Sequence, residues 1–300
     1  MKCYRNCATK AVYFLAVMLF AVIPAFSQTS DIVFDKLTIR DGLSQSTVTA
    51  ILQDRNGFMW FATYGGVNKF DGYSFTVYQY DENNENSIGN NNNELLFEDS
   101  EGYIWVVNNG DGMERYDPNT DNFIRIRHNP DDSTTIYGRT VQHVMEDSRG
   151  DIWVSTQGAL NRLIRGGDKS ILRFERYISP FGDTFTRMHE DSKGNFILLG
   201  SHLTYFDRDT KKFRQAMTVP ATRAISVTED KKGDIYVGTF TRGIYKLIWD
   251  KRSSSYVLAN NPEINPTPNN RCYVTIDEFE NVWAGTETRG LFKYDPKTGE

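Results

Sequence analysis

Cysteine is almost missing from this 300-residue sequence, which has only Cys3, Cys7 and Cys272. The first two fall in an N-terminal segment that reads as a leader, so Cys272 is left alone in the remainder. An intrachain disulfide framework and a cysteine-built zinc cluster are both excluded there. Histidine is equally sparse. His128, His143, His189 and His202 are scattered, and no H-E-x-x-H zinc helix is present. Without a Gly-rich phosphate loop or an EF-hand loop, the sequence predicts neither metal nor cofactor. Basic residues are outnumbered, 34 against 39 acidic ones. That balance lacks the basic footprint on which general nucleic-acid binding depends. Apolar residues at helical spacing are absent beyond the leader, so a helical solenoid is excluded.

The leader occupies residues 1–27. Lys2, Arg5 and Lys10 precede an apolar run from Ala11 to Ile23, followed by Pro24 and Ala25-Phe26-Ser27. Small residues at Ala25 and Ser27 fit a signal peptidase site, placing the cut before Gln28. The run of 13 residues is shorter than the ~20 a spanning helix needs. An uncleaved anchor is the alternative, and either reading exports the remainder. Residues 28–300 then carry 31 basic and 39 acidic residues, a net charge of −8. With no disulfide available, this part must be held by packing, and its aromatic content supplies large side chains for a core.

One pattern recurs six times. DRNGFMWFATYGGVNKFD from Asp54 aligns with DSEGYIWVVNNGDGMERYD from Asp99, DSRGDIWVSTQGALNRL from Asp147 and DSKGNFILLGSHLTYFD from Asp191. DKKGDIYVGTFTRGIYKL from Asp230 and DEFENVWAGTETRGLFKYD from Asp277 complete the set. The anchor position runs Trp60, Trp105, Trp153, Ile197, Tyr236, Trp283, at spacings of 45, 48, 44, 39 and 47. A short apolar run before each Asp (Val48 to Leu52, Val141 to Met145, Val274 to Ile276) predicts an inner strand. D-x-x-G predicts a tight turn, with Asp capping it and Gly accepting positive φ. Phe58 to Ala62 alternates as a second, half-buried strand. Val67 to Phe70 and Tyr73 to Tyr80 supply a third and a fourth. Four strands per 40 to 50 residues, repeated, is a propeller blade. A parallel β-helix is the rival, but its repeats are shorter. The fold class is therefore all-β, a β-propeller of four-stranded blades. The anchors are expected to be inter-blade core. The sixth copy has Glu280 in place of Gly, and Asn281 is expected to take the positive φ with the turn shifted by one residue.

The stretch DGLSQSTVTAILQDRNGFMWFATYGGVNKFDG, within Phe34 to Asp71, resembles the opening blade of the two-component regulator propellers. These are the sensor regions of hybrid two-component histidine kinases in carbohydrate-degrading gut bacteria. The resemblance implies two seven-bladed propellers, a β-sandwich, a membrane helix and a cytoplasmic kinase. It also implies a homodimer that binds oligosaccharides and switches on polysaccharide-use genes through a phosphorelay. This sequence contains no phospho-accepting His context and no ATP-binding Gly-rich box. The expected role is thus a periplasmic sensor without catalysis of its own, attached to the membrane only through a later helix or an uncleaved leader. Six copies are visible where the resemblance implies seven, so an open or incomplete first propeller is expected, closure of six blades by a donated strand being the alternative. Ile32 to Ile39 falls in the phase of an outer strand donated to the last blade.

In a propeller the loops into the inner strands and the loops between second and third strands share one face. Arg139, Arg187, Arg223 and Arg271 stand at inner-strand starts. Tyr64, Gln157, His202, Phe240, Arg242, Glu287 and Arg289 stand in the second-to-third loops. A basic cluster at one mouth of an acidic chain suggests an anionic oligosaccharide, with rings on sugar C–H faces and arginines forking to uronate or sulfate. The plainer reading is that these arginines pair with neighbouring acids or face water. Asn83 to Asn93 reads as a polar inter-blade loop or, alternatively, a ligand loop. The aspartates of D-x-x-G-x-x-W read as turn formers. A stand-alone scaffold or adhesion propeller competes with the sensor. So does a polysaccharide-acting glycosidase or lyase, although the paired carboxyl groups a glycosidase uses are not visible.

Overall fold

A computed structural model of the chain describes residues 36–110, 112–164, 166, 172–200, 202–217, 223–264, 270–296 and 298. The leader lies outside these residues. The chain divides between Leu37 and Thr38, and the fold described is that of the unit beginning at Thr38.

Six antiparallel meanders follow one another. The first sheet holds β1 (Val48–Gln53), β2 (Met59–Thr63), β3 (Gly66–Phe70) and β4 (Phe75–Tyr78), and the second holds β5 (Asn93–Glu98), β6 (Ile104–Asn108), β7 (Met113–Asp117) and β8 (Asn122–Ile126). The third runs β9 (Val141–Glu146), β10 (Ile152–Thr156), β11 (Ala159–Ile164) and β12 (Arg173–Ile178). In the fourth are β13 (Arg187–Glu190), β14 (Phe196–Leu199), β15 (Leu203–Asp207) and β16 (Lys212–Met217). The fifth has β17 (Ala224–Glu229), β18 (Ile235–Thr239), β19 (Ile244–Asp250) and β20 (Ser255–Ile264), and the sixth has three strands, β21 (Cys272–Ile276), β22 (Val282–Thr286) and β23 (Gly290–Tyr294). Short turns suffice because neighbouring strands are antiparallel. First strands contact first strands in succession, β1 with β5, β5 with β9, β9 with β13, β13 with β17 and β17 with β21. That makes them the inner strands of radially arranged blades. The described residues contain no α-helix, only a 3-10 turn at Ile39–Asp41 capped by Thr38. Ile39 therefore belongs to a turn rather than to a donated outer strand, and residues 32–35 of that expected strand are not among those described.

The anchor residues make the joints between blades. Trp60 packs with Ile88, Ile104, Val106 and Tyr116 of the next blade, and Trp105 with Val141, Val144 and Ile152. Trp153 meets Phe185, Met188 and Phe196; Ile197 meets Ala224, Ile235 and Val237; Tyr236 meets Cys272, Val274 and Val282. All five are buried, whereas Trp283 of the sixth blade is only partly so. Each buried indole removes roughly 200 Å² from water, about 5 kcal/mol as an upper bound.

The Asp before each anchor ties the turn to that joint. Asp54 Oδ1 accepts from the backbone N–H of Asn56 (2.9 Å) and Phe58 (3.0 Å), while Oδ2 accepts from Trp60 Nε1 at 2.8 Å. The same indole bond joins Trp105 to Asp99, Trp153 to Asp147 and Trp283 to Asp277, each at 2.8 Å. Where the anchor cannot donate, as at Ile197, Tyr256 of the fifth blade gives its hydroxyl to Asp191 instead, at 3.0 Å. Gly57 sits at φ +89 in this turn, a conformation glycine adopts without a Cβ penalty.

A second tie runs between blades. The glutamate just before the Asp of one blade accepts from the backbone N–H just after the Asp of the preceding blade. Glu98 takes Arg55 N (3.0 Å), Glu146 takes Ser100 N (2.6 Å), Glu190 takes Ser148 N (2.6 Å) and Glu229 takes Ser192 N (2.8 Å). In the sixth blade this position is Ile276, which cannot accept. Glu280 makes the bond instead, taking Lys231 N at 3.1 Å. Glu280 itself stands at φ +71, and the turn keeps the register of the others, with Glu280 N on Asp277 O (3.0 Å) and Asp277 N on Asn281 O (3.1 Å). The expected shift to Asn281 is thus corrected: a non-glycine residue tolerates the left-handed conformation because its carboxylate clasps the neighbouring blade.

Asp54→Ala should destabilise the chain by about 2–4 kcal/mol, since it orphans a buried indole N–H and two backbone donors. Urea denaturation checks this. Glu280→Ala and Glu280→Gly both lose the clasp, but only glycine relieves the backbone. The glycine variant should be more stable than the alanine variant by about 1 kcal/mol in the same measurement.

Candidate functional site

Because β1 and its counterparts all start at the end of the blade where the second strand finishes, the strand-start residues and second-to-third loops share one face. On that face the fourth, fifth and sixth blades form an open cavity of about 270 Å³ lined by Thr186, Arg187, Arg223, Ile225, Phe240, Arg271 and Tyr273. Arg187 opens β13 with Thr186 just before it, Arg223 immediately precedes β17, and Arg271 immediately precedes β21. Phe240 follows β18 and is held over Arg223 by its backbone N–H, which donates to Arg223 O at 2.9 Å. The Arg271 guanidinium lies 4.4 Å from the centre of the Phe240 ring, a cation–π geometry.

Three arginines from three blades therefore line one small space. Only a loose acidic partner reaches them among the described residues: Glu287 Oε2, 3.6 Å from Arg271 Nε with both side chains substantially exposed. Such a pair contributes little, so the cavity is electropositive within an acidic chain. Arg187 also acts on His143 in the adjacent inner strand β9. Burial, with the Arg187 charge beside it, lowers the His143 imidazole to about 4.

Of the residues singled out in the sequence, Arg187, Arg223, Phe240 and Arg271 come together here, and Glu287 stands at the rim through Arg271. Tyr64, Arg139, His202, Arg242 and Arg289 do not line this cavity. Tyr64, Arg139, Arg242 and Arg289 are exposed on their own loops. His202 Nδ1 lies 3.3 Å from the buried Asp183 carboxylate. Gln157 belongs to a separate cavity of the third blade. Tyr273 and Ile225 were overlooked although period two signals both, since each stands two residues after a strand-start arginine. The Asn83–Asn93 stretch is a hydrogen-bonded connector, exposed over its first residues and ending on the first residue of β5: Asn86 N bonds Asn84 Oδ1 (3.0 Å), and the Arg125 guanidinium holds the carbonyls of Asn84 (2.9 Å) and Ser87 (3.0 Å). The repeated aspartates are turn formers, as expected, with the added indole bond.

The blades and their repeats define the chain as a β-propeller. Residues 42–65 match the family model described as Two component regulator propeller. The chain carries that repeat, as the resemblance of its opening blade implied. Histidine kinase P4 of Formosa agariphila is 40% identical over 77 residues, 26% of this chain and 6% of the kinase. The extracellular domain of a hybrid two component system from B. thetaiotaomicron superposes with a TM-score of 0.54 at 18% identity, covering 84% of this chain and 38% of that one. The chain thus spans well under two thirds of these relatives. Virginiamycin B lyase from Staphylococcus aureus, solved with quinupristin, shares the fold with a TM-score of 0.58 at 15% identity, covering 87% and 86%. Among the described residues no helix is long and apolar enough to cross a membrane.

An anion bound at Arg187 should raise the His143 pKa from about 4, because it offsets the positive charge that disfavours imidazolium; an NMR titration of the His143 ring reads this. In the free protein the unfolded chain, with His near 6.5, binds a proton between roughly pH 6.5 and 4 that the folded chain does not. Stability should therefore fall as pH drops through that window, and His143→Gln should flatten the fall.

Proposed function

We propose that this chain is the ligand-sensing propeller of a hybrid two-component sensor kinase, facing the periplasm. In this reading it takes an oligosaccharide bearing carboxylate or sulfate groups in the cavity of Arg187, Arg223 and Arg271. The observation that carries it is the convergence of three arginines from three blades beside Phe240 and Tyr273, with the loose Glu287 pair as their one acidic partner among the described residues. Arginine forks match carboxylate and sulfate oxygens, and the two rings offer apolar faces to sugar C–H groups. The regulator propeller repeat and the stretch shared with a histidine kinase support a signalling context. The chain contributes binding, and the phosphotransfer chemistry belongs to a kinase region of the same receptor, which acts as a homodimer. Sugar occupancy would bias the blades joined at the cavity, and that bias would reach the polysaccharide-utilisation genes through the kinase.

Calorimetric titration of the purified chain with uronate-containing and sulfated oligosaccharides tests the reading. The Arg223→Ala plus Arg271→Ala variant should lose about a hundredfold in affinity, on the order of two charge-assisted hydrogen bonds. Binding by the unaltered chain should weaken with added salt. Unchanged affinity in the double variant would end this assignment. Release of reducing ends or unsaturated products from the same oligosaccharides would favour an enzyme over a sensor.

A further inference from the structure

A second cavity opens between the connectors into the third and fourth blades. It has a volume of about 430 Å³, and its walls include His128, Tyr137, Gln157, Gly158, Ile178 and Gly182. This size falls within the ~300–1,000 Å³ of small-molecule sites. Unlike the arginine cavity, it has no Arg, Lys, Asp or Glu among the described residues that line it.

Its walls are held in place before any ligand arrives. The guanidinium of Arg176 donates to Thr135 O and Asp132 O, each at 2.6 Å, and so pins the connector that carries His128 and Tyr137. Tyr137 N donates to Asn161 Oδ1 at 2.7 Å. The two rings lie edge to face, 6.1 Å apart at 63°. His128 Nδ1 is 2.9 Å from Ile136 O. A carbonyl can only accept, so Nδ1 carries the hydrogen, and the tautomer this defines leaves Nε2 as the acceptor. Opposite, Gly158 (φ +82) and Gly182 (φ +69) present bare backbone, and a Cβ at either would meet nothing within 4 Å. Ile178 is 57% exposed at the margin, and Gln157 is exposed beside it.

We propose that this cavity is a second binding site, taking an uncharged hydroxylated ring compound the size of one or two neutral pyranose units. Tyr137 and Ile178 cover the apolar face of the ring. The Gln157 amide, the Tyr137 hydroxyl and His128 Nε2 meet its hydroxyls. With no Arg or Lys among its described lining residues, the site offers no fork for carboxylate or sulfate. The proposal is independent of the arginine cavity and of what binds in it.

The test is a titration of the purified chain with cellobiose, maltose, lactose and xylobiose, followed by saturation-transfer NMR and by the His128 ring signals. At least one disaccharide should bind and shift His128. Gln157→Ala and Tyr137→Ala should each weaken binding about tenfold, and the Arg223→Ala plus Arg271→Ala variant should leave it unchanged. Gln157 is exposed, so its variant tests the site even if Tyr137→Ala fails to fold. No binding by any of the four at roughly 10 mM, no shift of His128, or binding that survives Gln157→Ala would overturn the proposal. Loss of binding in the arginine variant would do the same, by moving the neutral sugar to the other cavity.

Discussion

One aspartate carboxylate per blade carries the architecture. Its Oδ1 closes a turn on two backbone N–H groups, and in the four blades with a Trp anchor its Oδ2 holds the indole at the joint. A buried indole N–H without a partner would be costly, so the carboxylate lets the largest apolar side chain be buried without that penalty. The turn and the joint are thereby fixed by one side chain. Asp191, whose own blade offers Ile197 in place of Trp, makes the same point from the other direction: the vacant Oδ2 is met by Tyr256 from across the joint.

The glutamate clasps add direction to this packing. Hydrophobic burial is not directional, and by itself it would let neighbouring sheets slide. A carboxylate that must reach one particular backbone N–H sets the offset between blades. Glu280 shows how strongly that offset is required, because a residue held at φ +71 keeps the bond when Ile276 has removed it. Rigid offsets matter for the proposed sensing role. Arg187, Arg223 and Arg271 come from three different blades, so their mutual spacing is decided by how those blades stand against each other. A ligand bridging them is sensitive to blade-to-blade geometry and can bias it in return.

Much of the candidate site was legible before the fold was known. Strand-start arginines and second-to-third loops were placed on one face by strand count alone, and Arg187, Arg223, Phe240 and Arg271 do meet. Tyr64, Arg139, His202, Arg242 and Arg289 were assigned to the same face but line no common cavity with them. Register assigns a residue to a face, while the radial position of its blade decides which neighbours it has. His202 is drawn aside by Asp183, a buried acid that no spacing rule pointed to. The glutamate clasp was present in the text as Glu-Asp before four of the turns and passed unread, because its partner is a backbone group in another blade about 45 residues away in sequence.

The sequence by itself determined the blade: the turn, the order of the strands and which position of the second strand anchors the joint. These depend on period-two alternation and on contacts a few residues apart, and both are written locally. Only the tertiary structure decided what Glu280 does, which donor replaces a missing tryptophan, and which arginines share a cavity. Those outcomes depend on distances between blades, and such distances arise when separate sheets pack, a step that no local pattern encodes.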